Sequence, residues 1–435
     1  MDPVTIGILG VVLVFVLLFA GMPIAFALML TGFLGISYLA SLEAALPVVA
    51  RTIYEVASYY PYTVIPLFIV MGGFAGSSGL TKDMYGAFDK WFRRLPGGLG
   101  IATIGACAGF AAVSGSSVAT AATMGTVALP EMKRYGYADT LATGSVAAGG
   151  TLGFLIPPSI GFVVFGMLTE QSIGKLLVAG ILPGLLLAVA YAGTIVAMVK
   201  IKPELAPIGH EAISWSDRIT SLKGIWEPLL LFFIVMGGIY AGFFTPTEAG
   251  AVGATVLLLV SLLKGKLTWT NLVAALLEAV RISVMVLVLV AGANVFSYFL
   301  ALSTIPMQIA SWASDIEVSR YVVHVVIILI YLFLGCFLDA ISMMVLTMPV
   351  IYPVVLALNF DPIWFGVIAV LMMEAGLITP PMGLNIFTVA GVSQDVSVET
   401  IFKGVTPFLF AVFLIVILIT LFPGIALMLP KMMLR

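Results

Sequence analysis

Two stretches of the chain, 223 residues apart, carry adjacent prolines that begin four residues after a glycine. The first reads Gly153-Phe-Leu-Ile-Pro-Pro and the second reads Gly376-Leu-Ile-Thr-Pro-Pro. Proline removes a backbone hydrogen bond and breaks a helix, so each stretch frees carbonyl oxygens. In an apolar medium such carbonyls are tolerated only where they line a cavity or are buried in protein, and there they can coordinate a cation. The pattern therefore predicts a cation site at each break.

Two other stretches place small polar or acidic residues in the middle of apolar sequence. Ser114-Gly-Ser-Ser interrupts segment 98–130, and Asp339-Ala-Ile-Ser interrupts segment 321–357. The offset of 223 residues also pairs Ser116 with Asp339. Each segment is too long for one membrane span of about 20 residues, so each is predicted to be a re-entrant hairpin with a polar tip. A helix that starts at such a tip presents N–H groups to an anion.

Acidic side chains in apolar sequence need a partner, because burying an unpaired charge is costly. Asp339 and Glu374 could each be a cation ligand, a proton carrier or an anchor that accepts backbone N–H groups of a hairpin. For Glu374 we favour the anchor, since its repeat partner Thr151 is neutral. Glu278 and Arg281 are three residues apart on one predicted helix, and they are interpreted as a local pair.

The composition restricts the class of protein. Of the 435 residues, 62% are apolar and 9% are charged, and the mean hydropathy is +1.20. A soluble globule would lack the polar surface to cover so much apolar sequence. Continuous apolar runs argue against a β-barrel, so an all-α polytopic membrane protein is predicted. No phosphate-binding glycine loop or metal-binding motif is present, the two cysteines (Cys107 and Cys336) are predicted to be buried thiols, and no cofactor is expected beyond a coupling ion.

Ten apolar segments are predicted to cross the membrane. The first is read as a membrane helix rather than a cleaved signal peptide. Three amphipathic segments, 42–61, 80–96 and 303–320, are expected to lie along the interface. The ten predicted spans are 4–20, 23–41, 62–79, 140–170, 177–199, 227–243, 248–263, 272–302, 363–391 and 405–429.

The lysines and arginines predict the orientation of these spans. One set of loops holds thirteen of them and the other set holds five, which places the first set in the cytoplasm. Ten crossings then put both termini outside. Arg93-Arg94 and Lys133-Arg134, on either side of the first hairpin, fall on the same side, as a re-entrant hairpin requires.

The repeat predicts how the chain is organised. Five predicted crossings separate the two copies, and an odd number turns the second copy upside down. Inverted repeats with interrupted helices are typical of secondary transporters. We predict scaffold helices and an interfacial arm at 1–97 and at 200–320. A first transport repeat is predicted at 98–199, and a second, inverted one at 321–435. This arrangement would place a sodium site in each half and an anionic substrate between them.

Four stretches resemble the large membrane subunit of tripartite ATP-independent periplasmic (TRAP) transporters, the DctM-like family. The resemblance covers essentially the whole chain. The stretches are Gly109-Phe-Ala-Ala-Val-Ser-Gly-Ser-Ser-Val-Ala-Thr, Gly153-Phe-Leu-Ile-Pro-Pro-Ser, Thr245-Pro-Thr-Glu-Ala-Gly and Glu374-Ala-Gly-Leu-Ile-Thr-Pro-Pro-Met-Gly-Leu-Asn.

The resemblance implies a sodium-driven elevator that imports an organic acid across a bacterial inner membrane. It also implies two partners, a small four-helix membrane subunit (Q subunit) and a periplasmic substrate-binding protein (P subunit). In such systems the arginine that binds the substrate carboxylate belongs to the periplasmic protein, and we find no candidate for it in the apolar core of this chain.

The resemblance also implies a set of site residues. The first sodium site would be formed by Ser114, Ser116, Gly153, Ile156 and Ser159. The second would be formed, largely through backbone carbonyls, by Gly335, Gly376, Thr379 and Met382. The substrate would contact Ser117, Thr120, Pro158 and Asn385. Asp339 and Glu374 remain candidates for a structural or coupling role.

Other functions remain open at this stage. A self-sufficient sodium- or proton-coupled carrier of dicarboxylates or other anions fits the same layout, although its hairpin tips usually read Ser-Asn-Thr. An intramembrane enzyme is disfavoured, because no histidine or lysine base accompanies the serines and acids. A channel is disfavoured because two sealed hairpins suit alternating access. The sequence does not distinguish C4-dicarboxylates from keto acids, sugar acids, sialic acids or aromatic acids as the substrate.

Overall fold

A computed structural model describes residues 2–207, 213–315 and 319–433. These residues form 22 α-helices joined by short loops and three short 3-10 helices, and they contain no strand. Arg435, which was counted among the charges above, lies outside the described residues, as do positions 316–318 of the third amphipathic segment.

The first five helices contain the first predicted spans and two amphipathic segments. Ser41 accepts a hydrogen bond from the N–H of Ala44 and so caps the third helix. A 3-10 turn, Tyr60–Thr63, joins the third and fourth helices, whose axes bend by 55°. The five are α1 (Pro3–Phe19), α2 (Ile24–Leu39), α3 (Leu42–Ser58), α4 (Val64–Ser77) and α5 (Leu80–Phe92).

The next six helices contain the first hairpin and the first broken helix. Hairpin one is formed by α6 and α7, and broken helix one by α8 and α9, which meet at a bend of 42°. Glycine at position 180 separates the last two of the six. The six are α6 (Gly98–Ser114), α7 (Ser117–Arg134), α8 (Asp139–Leu155), α9 (Ile160–Thr169), α10 (Ile173–Ala179) and α11 (Ile181–Ile201).

Five further helices follow the loop after α11. The fourteenth begins with a capping box, in which the Thr245 hydroxyl and the Glu248 carboxylate each accept the backbone N–H of the other residue. The five are α12 (Trp215–Ser221), α13 (Trp226–Tyr240), α14 (Pro246–Leu263), α15 (Trp269–Ser303) and α16 (Ile305–Asp315).

The last six helices contain the second hairpin and the second broken helix. Hairpin two is formed by α17 and α18, and broken helix two by α19 and α20. The six are α17 (Arg320–Gly335), α18 (Ala340–Ala357), α19 (Pro362–Gly376), α20 (Leu384–Val392), α21 (Val398–Leu421) and α22 (Gly424–Met432).

The final predicted span, 405–429, was wrong as a single helix. The structure starts α21 earlier, because Ser397 caps it by accepting the N–H of Thr400. It ends α21 before Pro423, since a residue that precedes proline is disfavoured in helical geometry. Phe422 accordingly has φ −124° and ψ 74°, and the next helix, α22, begins at Gly424.

The helix boundaries extend the repeat beyond the motifs that first indicated it. Helix α18 begins and ends 223 residues after α7. Within a residue or two the same shift relates α1 to α13, α2 to α14, α5 to α16, α8 to α19 and α9 to α20. Two pairs differ, since α3 and α4 correspond to the single helix α15, and α10 and α11 correspond to the single helix α21. The chain is therefore an inverted-repeat fold with two re-entrant hairpins and two interrupted helices, as predicted.

The surface of the helices is suited to lipid. By length and composition five helical segments of the described chain are apolar enough to cross a membrane, or up to eight if bent pairs count as single spans. Large apolar side chains point outward, such as Phe19 at 87% and Leu263 at 88% exposed. Cys107 and Cys336 are buried free thiols, as predicted. The chain is a polytopic membrane protein.

Contacts between glycines let helices from different repeats pack closely. Gly144 of α8 lies against Gly404 of α21, and a Cβ atom at position 144 would come within 2.5 Å of the Gly404 carbonyl oxygen. Small residues at such crossings allow backbones to approach in membrane proteins. The contact joins the first broken helix to the last long helix of the second repeat.

We expect Gly404→Val to lower the free energy of unfolding by about 1–3 kcal/mol, because the new side chain meets backbone atoms of Thr140 and Gly144. Gly237→Val on α13 is the matched control, since a Cβ there meets no atom within 4 Å. Thermal unfolding of the purified variants measures the difference. Equal losses in both variants would mean that valine disfavours the helices themselves and that the packing contact contributes little.

Candidate functional site

The tip of hairpin one is held by its own side chains. Helix α6 ends where Gly115 adopts a left-handed conformation, with φ 63°. Ser116 caps α7 by accepting the N–H of Ala119 at 3.4 Å. The Thr120 hydroxyl donates to the Ser116 carbonyl at 2.7 Å, and lies 2.8 Å from the Ser114 hydroxyl. The tip therefore gathers two hydroxyls and a carbonyl within one turn.

The first broken helix meets this tip through a glycine. A Cβ atom at Gly153 would lie 2.5 Å from both the Ser116 carbonyl oxygen and the Thr120 hydroxyl. On the other side of the break, the N–H of Ile160 donates to the Gly115 carbonyl at 3.4 Å. Only a residue without a side chain allows the helix to approach the tip this closely.

The remaining residues of the predicted first sodium site lie in the same break. Ser159 caps α9 by accepting the N–H of Phe162 at 3.3 Å, and its hydroxyl donates to the Phe154 carbonyl. The Ile156 side chain is buried and packs against Gly184. A Cβ atom at Gly184 would lie 2.6 Å from Cγ1 of Ile156. Ile156 can therefore contribute only backbone atoms to a site at this break.

The second hairpin and second broken helix also touch, although through a different pair of residues. A Cβ atom at Gly335 would lie 2.7 Å from the Cα of Gly376, so two backbones touch here. The Cys336 thiol lies 3.1 Å from the Pro380 carbonyl oxygen, which joins the end of the hairpin helix to the break. The Thr379 hydroxyl donates to the Ala375 carbonyl at 2.6 Å.

The two breaks differ in exposure. The first is buried throughout, including Pro158, whereas Pro380 and Pro381 are exposed. The side chain of Met382 is 53% exposed, and its thioether sulfur is a soft ligand that does not suit sodium. Met382 can therefore act at the predicted second site only through its carbonyl oxygen.

The two acids singled out in the sequence have different surroundings. Asp339 caps α18, accepting the N–H of Ser342 at 3.1 Å, which is the role that Ser116 has in the first repeat. Glu374 is fully buried, and one carboxylate oxygen, Oε2, accepts the Ser117 hydroxyl at 2.7 Å. Its other oxygen, Oε1, has no hydrogen-bond partner in the described residues.

Glu374 was predicted to accept backbone N–H groups of a hairpin. This prediction was wrong about the donor group. The side chain of Ser116 accepts one backbone N–H at the first tip, and that of Asp339 accepts one at the second. Glu374 instead accepts a hydroxyl from hairpin one, and so joins the second repeat to the first.

A cavity of about 810 Å³ lies between the hairpin tips and helices α4 and α15. Its polar lining comes from both repeats, and no lysine, arginine or histidine lines it in the described part of the chain. The residues that line it include Ser114, Ser116, Ser117, Asp339 and Glu374 together with Asn271, Glu278, Gly72, Phe110 and Ile282.

Two lining residues were missed in the sequence. Asn271 and Glu278 both belong to α15 and both border the cavity. They are seven residues apart, or two helical turns, which is a spacing that could have indicated a shared polar face. The predicted local pair of Glu278 with Arg281 is absent, since no ion pair joins these two described residues, and Arg281 is exposed.

The predicted substrate residues separate into two groups. Ser117 borders the cavity, whereas Thr120, Pro158 and Asn385 are buried behind its wall. The side-chain amide nitrogen of Asn385 donates to the Ala147 carbonyl at 3.3 Å, and its oxygen Oδ1 has no partner in the described residues.

Comparisons with a family model and with individual proteins point to the same family. The model of the DctM component of tripartite ATP-independent periplasmic transporters matches residues 11–425. The chain is 36% identical over 385 residues to the C4-dicarboxylate TRAP transporter large permease protein DctM of Pseudomonas aeruginosa, an alignment that covers 88% of this chain and 89% of that protein.

A second relative is longer than this chain. The isethionate TRAP transporter permease protein DctMQ of Oleidesulfovibrio alaskensis is 34% identical over 426 residues, which cover 96% of this chain and 64% of that protein. Among solved structures, the YdaH transporter of Alcanivorax borkumensis has a similar fold, with a TM-score of 0.61 at 15% identity over 90% of this chain and 88% of that one.

Proposed function

Because the chain belongs to the DctM-component family of TRAP transporters, we propose that it is a large permease subunit that imports an organic acid coupled to sodium. The relatives are transporter subunits, and the chain is not an enzyme. The observation that carries the proposal is the paired contact of each hairpin tip with a broken helix beside one polar cavity.

The proposed sodium sites lie at these two contacts. Site one uses oxygens of Ser114, Ser116 and Ser159 with backbone atoms of Gly153 and Ile156. Site two uses backbone carbonyls around Gly335, Gly376 and Met382 with the Thr379 hydroxyl. Hydroxyl and carbonyl oxygens suit a hard cation.

Coupling follows from the position of the sites. A cation at each contact fixes a hairpin tip against its broken helix and offsets part of the negative charge of an incoming carboxylate. The repeats at 98–199 and 321–435 would then move as a core against the scaffold helices of 1–97 and 200–320. Without cations, the acids that line the cavity repel an anionic substrate. Movement of the core therefore requires both the bound cations and the substrate.

The partners and location follow from the family. The chain would act in a bacterial inner membrane with a small four-helix subunit and a periplasmic binding protein that delivers the substrate. Both of its termini would face the periplasm, because the loops richer in lysine and arginine then face the cytoplasm.

We expect sodium to raise the thermal stability of the purified chain relative to potassium at equal ionic strength. A ligand that binds only the folded state adds about 2.7 kcal/mol when present at 100 times its dissociation constant. Thermal unfolding in a sodium titration measures the effect. Identical curves in the two salts would contradict sodium coupling.

Uptake into liposomes tests the dependence on partners. The candidate substrates to test are C4-dicarboxylates, sialic acids and sulfonates. With the small subunit present, uptake of the one that is transported should require both a sodium gradient and the cognate binding protein. Uptake of free substrate by this chain alone would instead favour a self-sufficient carrier.

A further inference from the structure

Two buried oxygen atoms near hairpin one lack a hydrogen-bond partner. Among the described residues, Glu374 Oε1 and Asn385 Oδ1 are acceptors in fully buried side chains with nothing to accept from. The two residues lie on either side of the second break, on α19 and α20. Buried polar groups are normally satisfied, and an exception calls for an explanation.

Of the two groups, the Glu374 carboxylate is the more costly to bury without a partner. An isolated buried charge costs several kcal/mol or more unless a partner offsets it. The Ser117 hydroxyl supplies one hydrogen bond, but no basic side chain borders the adjoining cavity in the described chain. The equivalent position of repeat one, Thr151, is neutral and fully bonded, to the Ala148 carbonyl and the Tyr191 hydroxyl.

The unpartnered atoms belong to one neighbourhood. Ser117 bonds to Glu374 through its side chain. On the other side, a Cβ at Gly150 would lie 3.2 Å from the Ser117 carbonyl oxygen and 3.1 Å from the Asn385 amide nitrogen. Ser117 thus bonds to the carboxylate through its side chain, and its backbone lies in the same neighbourhood as the amide.

The orientation of the amide is fixed by its neighbour. Its nitrogen faces the Ala147 carbonyl, so the oxygen is the atom left without a donor. A carboxylate oxygen, an amide oxygen and a hydroxyl are ligands that hard cations prefer. The same group of atoms would repel a substrate carboxylate.

We propose that Glu374, Asn385 and Ser117 form a third sodium site between the two repeats, separate from the sites at the two breaks. It differs from both of those in having a carboxyl group among its ligands. Bound there, sodium offsets the Glu374 carboxylate next to the cavity wall, so that an organic acid can approach Ser117. Two residues expected to contact the substrate are thereby assigned to the ion.

This inference rests on the sodium coupling proposed above, and its test separates the two. The experiment is equilibrium binding of radioactive sodium to the purified chain in detergent, with potassium keeping the ionic strength constant. Glu374→Gln keeps the shape and the acceptor for Ser117 but removes the charge. It should bind one sodium ion fewer per chain than the unchanged protein.

The unfolding temperature provides a second signature of the same site. In potassium alone, Glu374→Gln should unfold at the same temperature as the unchanged chain or at a higher one, because a buried amide needs neither a proton nor a cation to be neutral. In sodium, the unfolding temperature of the unchanged chain should rise to or above that of Glu374→Gln. Thr151→Val is the matched control, since it removes a hydroxyl at the equivalent position of repeat one and should leave the sodium count unchanged.

The outcomes are distinct. If Glu374→Gln binds as many sodium ions as the unchanged chain, the third site is wrong, while the sites at the breaks stand. If the unchanged chain binds no sodium, the proposed coupling itself is wrong. Should Glu374→Gln fail to fold, Asn385→Ala removes the amide oxygen, and the same loss of one ion is expected from it.

Discussion

Replacing Gly153 with alanine is expected to remove the first sodium site and with it sodium-dependent uptake. The added methyl group would lie 2.5 Å from the Ser116 carbonyl oxygen and the Thr120 hydroxyl, closer than Cβ atoms approach other atoms in proteins. The backbone oxygen cannot rotate away as a flexible side chain would. The tip of hairpin one must therefore move away from the broken helix.

The size of the effect follows from what is displaced. Overpacking costs about 1–3 kcal/mol, and each 1.4 kcal/mol is a factor of ten in affinity, so sodium affinity at this site should fall about tenfold to a hundredfold. Sodium-dependent thermal stabilisation measures the loss of binding, and liposome uptake measures the loss of transport.

Gly193→Ala on α11 is the control, because a Cβ there meets no atom within 4 Å. It should keep both the sodium response and the uptake. A Gly153→Ala chain that responds to sodium like the unchanged protein would contradict a cation site at the first break.

The second large effect is expected from Gly376→Ala. The new methyl group would lie 2.6 Å from the Cα of Gly335, so hairpin two and broken helix two must separate. We expect site two to be lost while site one is retained. Sodium binding should fall by one ion, and uptake should stop because the two sites act together.

Gly391→Ala in α20 provides the comparison, since it adds a methyl group to the same broken helix in open space. The sodium count per chain, measured for Gly153→Ala, Gly376→Ala and the double variant, shows whether the two losses add. Loss of all sodium binding in Gly376→Ala alone would contradict two separate sites and indicate a single shared one.

Much of the fold could be predicted from the sequence because the repeat is strict. Adjacent prolines mark the broken helices, and polar residues such as Ser116 and Asp339 mark the hairpin tips. The local pattern identified these two positions as polar tip residues, whereas their capping bonds are seen only in the structure. The end of the last long helix was missed, because the effect of Pro423 was outweighed by the apolar run around it.

The site was harder to predict, because it depends on contacts between distant parts of the chain. The bond between Ser117 and Glu374 joins residues 257 apart in sequence, and no local spacing indicates it. Asn271 and Glu278 reach the cavity only because α15 packs beside the hairpins. The motif residues lie at the hairpin tips and at the breaks, and their roles as ligands remain predictions.

The uninterrupted helix α15 has a mechanical consequence. At about 1.5 Å per residue its 35 residues extend about 52 Å, well beyond the hydrocarbon thickness of a bilayer. Its counterpart in the first repeat is divided into α3 and α4 by a bend of 55° at Tyr60–Thr63. One repeat therefore has a continuous helix where the other has a bend, and we expect bending motions of the two repeats to concentrate at Tyr60–Thr63.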